Sequence, residues 1–158
     1  MVPKQKLVVD AIIPYGFGSN IKYLMVKVAD GRWGWPGGKI GIHEDIRDAL
    51  PREVIEETSV GIVPLFVVDI GFMTSPSGNH IFRVVYEAKH IEGTPKASGE
   101  VAAIDFLSLS EIRALDSAKL RGKDSILRPL EGLLRGERLP LEIIRHYVDD
   151  YHPVSGGG

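Results

Sequence analysis

The sequence predicts an α+β fold, arranged as a helix–sheet–helix sandwich on a mixed β-sheet. Three observations lead there. Apolar, β-branched runs such as Leu7–Ile13 and Ile81–Ala88 read as buried strands. The acidic stretch from Asp45 to Val60 reads as a helix with one apolar side. Strands and helices then follow one another without strict βαβ alternation. A chain of 158 residues fits one domain, placed over 1–153, with 154–158 as a flexible tail. Hydrophobic residues make up 44% of it, which supports a packed core and excludes a disordered chain.

Taken in order, Leu7–Ile13 is the first strand, closed by Pro14. Tyr15–Asn20 is a turn, and Tyr23–Val28 is the second strand. Asp30-Gly31 is a hairpin signal. A loop at Gly37-Gly38 leads into the acidic helix, where Asp45 and Asp48 resemble a capping box with Asp in place of Glu. Ile62–Phe72 and Ile81–Ala88 form a strand pair around a turn at Thr74–Asn79. Val101–Leu107 is a further strand, and Ser108 caps a helix over Leu109–Leu115. Ser125–Leu134 reads as helical despite Pro129, and Leu141–Tyr151 as a final helix. Lys119, Arg121 and Lys123 read as a solvated basic loop.

Composition narrows the function. The net charge of −2 gives no generic attraction for nucleic acid. There is no cysteine, so disulfides, thiolate metal sites and a cysteine nucleophile are excluded. No apolar run approaches about 18 residues, and the N-terminus lacks a signal-peptide pattern. A cytoplasmic protein with no membrane partner is the expectation.

The chemistry concentrates between Gly37 and Val60. At about 100° per residue, Glu53, Glu56 and Glu57 share an arc of roughly 100° on the helix. Three carboxylates on one face repel one another, and a hard divalent cation with a preference for oxygen would remove that repulsion. Val54, Ile55 and Thr58 are left to face a core. Arg52 can orient its neighbour Glu53 through a charge-assisted hydrogen bond. Pro51 would be about the sixth residue of a helix capped by Asp45, where an interior proline typically costs about 3 kcal/mol, so either the helix kinks there or its regular part begins near Pro51.

The run Gly38-x5-Glu44-x7-Arg52-Glu53-Val54-x-Glu56-Glu57-x-Ser59-Val60 resembles the Nudix box, G-x5-E-x7-R-E-U-x-E-E-x-G-U with U aliphatic. Its one departure at a specified position is Ser59 for the last glycine; Gly61 is a candidate to take over that turn. Trp33-Gly34-Trp35-Pro36-Gly37-Gly38-Lys39 also looks like the family's lead-in. The resemblance covers about residues 33 to 60 directly and implies the Nudix α/β/α sandwich. It further implies Mg2+ or Mn2+ held by Glu53, Glu56 and Glu57, with the Gly37 backbone close by and Glu100 as a further ligand or the general base. Glu53, Arg52 and Glu100 are then the catalytic candidates, and Glu44 a supporting acid.

Lys39 and Arg83 are candidates for phosphate charge, and Trp35 for base stacking. Trp33, Phe72 and Tyr86 could also stack on a base, although aromatics of this kind, Trp35 included, are more often core; His43 and His80 could touch phosphate or transfer a proton, although a solvent-facing or simply hydrogen-bonded histidine is the commoner case. Pro76 lies sixteen residues after Val60, at about the place of a proline in the ADP-ribose pyrophosphatase branch of the family. It also suits an ordinary hairpin turn. The expected activity is metal-dependent hydrolysis of the pyrophosphate in a nucleoside diphosphate derivative, ADP-ribose or a nucleotide sugar foremost. A nucleoside triphosphate pyrophosphohydrolase and a domain that senses a nucleotide without cutting it are the alternatives. An isoprenoid diphosphate isomerase would need a cysteine that the chain lacks. Several family members are dimers, so a homodimer is compatible with the resemblance.

Overall fold

The computed structural model describes residues 2–149. In chain order the elements are β1 (Gln5–Ile12), β2 (Pro14–Tyr15), β3 (Lys22–Lys27), β4 (Trp33–Gly34), β5 (Gly37–Lys39), α1 (Ile46–Thr58), β6 (Gly61–Thr74), β7 (His80–Glu92), β8 (Ala103–Leu107), α2 (Leu109–Ala114) and α3 (Lys123–Leu134). One mixed sheet runs β5-β1-β7-β6, with β1 parallel to β7 and the other two pairs antiparallel. A second sheet runs β2-β3-β4, with β8 on the other side of β3.

Side-chain alternation along β1 and β7 explains the layers. Val9, Ala11, Val84 and Tyr86 point to one face and pack with Ala49, Leu50 and Val54 of α1. Ile12 and Val85 point to the other and pack with Ile112 of α2 and Ile126, Leu127 and Leu130 of α3. The mixed sheet is thus covered on both faces by helices, the α+β sandwich that the sequence predicts.

Two local features differ from the rules that a sequence offers. Pro129 lies inside α3 and has no N–H for the carbonyl four residues earlier, Ser125 O. Arg83 from β7 donates Nη2–H to that carbonyl at 2.6 Å, so the helix continues through the proline. Lys123 is the first residue of α3, not part of a solvated loop; its Nζ donates to Arg113 O and Leu115 O at the end of α2.

The expected final helix does not form over its described part, 141–149. Only Leu141–Ile143 makes a 3-10 turn after Pro140, and 144–149 are irregular. Leu141 and Ile144 reach the core, while Ile143, Tyr147 and Val148 stay exposed. The rest of that helix, and the tail at 154–158, lie outside the described residues. The Gly37-Gly38 segment is a strand, β5, where a loop was expected. It pairs with β1 in the register Asp10↔Gly37 and Val9↔Gly38. That pairing brings the glycines to the acidic helix.

Candidate active site

The helix α1 begins as its sequence suggests. Asp45 is the N-cap and accepts the Arg47 N–H at 2.8 Å, one position earlier than a capping box requires. Ala49, Leu50, Val54 and Thr58 are buried. Ile55, expected in the core, is 49% exposed, because it lies a further 100° round the helix from Val54. Pro51 is interior. Ser59 ends the helix with φ 62 and ψ 15, so this serine itself takes the left-handed turn and Gly61 does not replace it. Ser59 Oγ donates to Lys96 O at 3.3 Å, partly offsetting the strain.

Arg52 organises the outer carboxylates. Its Nε and Nη2 reach Glu44 at 2.6 and 2.8 Å, a two-pronged pair. Nη1 donates to Glu53 at 3.0 Å and to Glu56 at 3.2 Å, and Nη2 also meets Lys39 O at 3.1 Å. One guanidinium thus ties β5, the loop before α1 and two turns of α1. These bonds hold the Glu44 carboxyl well below its ordinary pKa.

Glu57 lies apart from that fork. It accepts the Gly37 N–H at 3.3 Å. Burial pushes its carboxyl up to about 8, and the nearby Asp10 and Glu53 push the same way. Glu53 is also raised, chiefly by burial and against the pull of Arg52. Asp10 is the residue that sequence reasoning missed. It sits on β1 opposite Gly37, and burial lifts it to about 6 against Arg83 and Arg121. Its signal was an acid inside the apolar run Leu-Val-Val-Asp-Ala-Ile-Ile, since a buried carboxylate needs a partner.

Both glycines are there for close approach. A Cβ on Gly38 would lie 2.4 Å from the Glu53 carboxylate. A Cβ on Gly37 would lie 2.0 Å from Val9 O and 2.4 Å from Asp10 Oδ1.

The donor set of Glu53, Glu56, Glu57 and the backbone at Gly37 is all oxygen, which fits a hard divalent cation. Among the described residues no three acidic or imidazole groups already converge as a metal cage. Glu53 and Glu56 both accept from Nη1 of Arg52, which holds the two carboxylates side by side on α1.

Other expected site residues are dispersed. Arg83 is 5% exposed, with Nη1 3.5 Å from Asp10 and Nη2 3.7 Å from Asp69. Trp35 is 3% exposed, edge-on to Tyr23, and donates Nε1–H to Ile126 O; its ring is used in the core. Tyr86 is buried too, while Phe72 is exposed against the edge of His80. Lys39 is exposed at the end of β5. Pro76 is exposed at the β6–β7 hairpin tip, where Gly78 N–H donates to Ser75 O. Glu100 is exposed in the segment between β7 and β8. A cleft of about 330 Å³ lies at the start of α1, lined by Leu7, Phe82, Glu44, Arg47, Ile144 and Tyr147 among others; Glu53 and Glu57 are not in its walls.

No helix among the described residues is long and apolar enough to cross a membrane. The family pattern for the NUDIX domain matches residues 5–128. A mouse oxidized purine nucleoside triphosphate hydrolase is 34% identical over 74 residues, 45% of this chain and 46% of that protein. The chain therefore spans about half the length of that curated relative. Among solved structures, a NUDIX hydrolase from Nitrosomonas europaea superposes with a TM-score of 0.79 at 27% identity, covering 91% of this chain and 98% of that one. An ADP-ribose pyrophosphatase from Streptococcus suis superposes with a TM-score of 0.62 at 26% identity, covering 83% and 90%. The box residues on α1, the glycine strand beside them and the family match over most of the chain together establish that this protein belongs to the Nudix family.

Proposed function

We propose that the protein is a metal-dependent pyrophosphohydrolase of a nucleoside diphosphate linked to another moiety, with ADP-ribose or a nucleotide sugar as its substrate. The observation that carries the hydrolytic reading is the face formed by Glu53, Glu56 and Glu57 beside Gly37 and Gly38. Magnesium or manganese held there by Glu53, Glu56, Glu57 and the Gly37 backbone would neutralise the pyrophosphate and favour attack by water. The chain's own groups do the rest. Arg52 orients Glu53, at 3.0 Å. Glu53 or Glu100 accepts the proton of the attacking water. The water oxygen bonds to one phosphorus as the bridging phosphorus–oxygen bond breaks, giving two monophosphates. Lys39, exposed at the end of the glycine strand, faces solvent where it can meet phosphate.

The sugar-linked substrate rests on Pro76 and on the likeness to the Streptococcus suis ADP-ribose pyrophosphatase. A second reading has its own support: the mouse relative acts on oxidized purine nucleoside triphosphates and is similar at 34% identity. Products separate the two. ADP-ribose yields AMP and ribose 5-phosphate, whereas a triphosphate yields a monophosphate with pyrophosphate, or a diphosphate with orthophosphate. The test is kcat/KM on ADP-ribose, GDP-mannose, diadenosine tetraphosphate and 8-oxo-dGTP with magnesium. A tenfold preference for the triphosphate, about 1.4 kcal/mol of transition-state discrimination, overturns the sugar-linked reading. No turnover of any of them overturns the hydrolase reading itself and leaves a nucleotide-sensing domain.

A further inference from the structure

The last turn of a helix leaves carbonyls without intrahelical donors. In α1 two of these carbonyls belong to Glu56 and Glu57, which carry box carboxylates, and a strap from the segment after β7 covers them together with that of Thr58. Lys96 N–H donates to Thr58 O at 2.9 Å. Ser98 does more than any other residue of the strap. Its N–H donates to Glu57 O at 2.9 Å, and its hydroxyl donates to Glu56 O. Its own carbonyl accepts the Val101 N–H at 3.3 Å, closing a four-residue turn with Gly99 and Glu100 at the corners. Gly99 has φ 62, and a Cβ there would lie 3.2 Å from Glu56 O. The turn therefore lies flat against the end of α1. Glu100, at its corner, is exposed and makes no hydrogen bond or ion pair among the described residues. The bond from Val101 N–H to Ser98 O fixes its turn, while its carboxylate has no partner among the described residues.

We propose that Ser98 is a positioning residue of the hydrolytic site, registering the Glu100 turn against the backbone of Glu56 and Glu57. This rests on the reading that Glu100 takes part in hydrolysis. Ser98 touches neither the water nor the phosphate; it acts through Glu100. A serine that only capped a helix would show in stability alone. A positioning serine shows in turnover, and only while Glu100 is present.

The experiment uses the full chain, magnesium and whichever of ADP-ribose, GDP-mannose, diadenosine tetraphosphate or 8-oxo-dGTP the parent hydrolyses fastest. Ser98→Ala keeps the N–H donor and removes the hydroxyl. It should lower kcat by about 10- to 100-fold, the scale of an ångström-sized misplacement, with KM held within about twofold. Ser98→Thr, which keeps a hydroxyl, should recover most of the loss. Gly99→Ala, which presses a methyl against Glu56 O, should repeat the Ser98→Ala signature and serves if that variant folds poorly. In a Glu100→Gln background, Ser98→Ala should cost nothing further. A parental kcat for Ser98→Ala, with Glu100→Gln impaired, overturns the positioning role alone. An undiminished loss in the Glu100→Gln background does the same, because Ser98 would then act independently. Parental turnover by Glu100→Gln removes Glu100 from the reaction and this inference with it. No hydrolysis of any of the four substrates overturns the proposed function and, through it, this role for Ser98.

Discussion

Two adjacent glycines should fail in opposite ways. At Gly37 an added methyl meets backbone: Val9 O at 2.0 Å and Asp10 Cα at 2.7 Å. Both belong to β1, an interior strand paired on one side with β5 and on the other with β7. That strand cannot recede without breaking eight residues of register with β7. At Gly38 the added methyl meets only a side chain, the Glu53 carboxylate at 2.4 Å. Carbon–carbon contacts relax near 3.5 to 4.0 Å, so that carboxylate must move by roughly 1 Å or more. Gly37→Ala is therefore a stability variant. Overpacking against immovable atoms costs about 3 kcal/mol, or roughly 6–12 °C of melting temperature at this chain length. Gly38→Ala is a function variant. Its packing strain and the reduced freedom of its unfolded chain roughly cancel, leaving stability within about 1 kcal/mol. Moving Glu53 out of its bond to Arg52 should lower kcat/KM by about 100-fold. The assay is thermal unfolding of both proteins beside magnesium-dependent hydrolysis of the preferred substrate. If Gly38→Ala melts as low as Gly37→Ala, the movable-carboxylate reasoning is wrong. If it folds and turns over like the parent, Glu53 does not act from this position.

Pro51→Ala should raise stability by up to about 3 kcal/mol, since the proline stands inside a regular helix and denies Arg47 O its donor; a lower melting temperature would show that the ring's packing outweighs the bond. Glu57→Gln and Glu56→Gln should each lower activity by orders of magnitude while folding normally, and parental turnover by both in magnesium would sink their assignment to the cation. In EDTA, stability should fall as pH rises from about 4 to 8. Asp10 and Glu57 hold their protons to about 6 and about 8 in the fold, above their ordinary values of 3.8 and 4.5. The folded state therefore binds more protons across that window, and the stabilisation present below it is lost as each group ionises. Urea unfolding at pH 5 and pH 8 measures the slope, which Glu57→Gln should flatten in the upper half; a flat or rising parental profile contradicts the burial of these acids.

The helix was legible because its information is local. Glu53, Glu56 and Glu57 share a face by spacing alone, and Asp45 and Ser108 announce the helix starts they cap. The strands Leu7–Ile13 and Ile81–Ala88 were legible from β-branched runs, though β7 extends past its apolar stretch to Glu92. What was lost is what pairing creates. Asp10 and Gly37 are 27 positions apart and meet only through the antiparallel register of β1 and β5. Arg83 reads as a candidate for phosphate, yet it is enclosed between Asp10, Asp69 and Ser125 O. No sequence window contains those three together. Leu141–Tyr151 had a helical pattern, yet its described part makes only the 3-10 turn Leu141–Ile143, so pattern alone did not suffice.

The two interior prolines carry this furthest. By local rules Pro51 and Pro129 are the same defect, each inside a helix and each denying one carbonyl its donor. The structure distinguishes them by what lies across the fold. The carbonyl freed by Pro129 is met by Arg83, whose other terminal nitrogen faces Asp10. Asp10 in turn abuts Gly37, whose N–H holds Glu57. A proline in α3 is thus connected through four contacts to a box carboxylate on the opposite face of the sheet. Replacing Pro129 with alanine would let the helix satisfy Ser125 O by itself and loosen Arg83 from it. Its consequence should then be read at Glu57, not in α3.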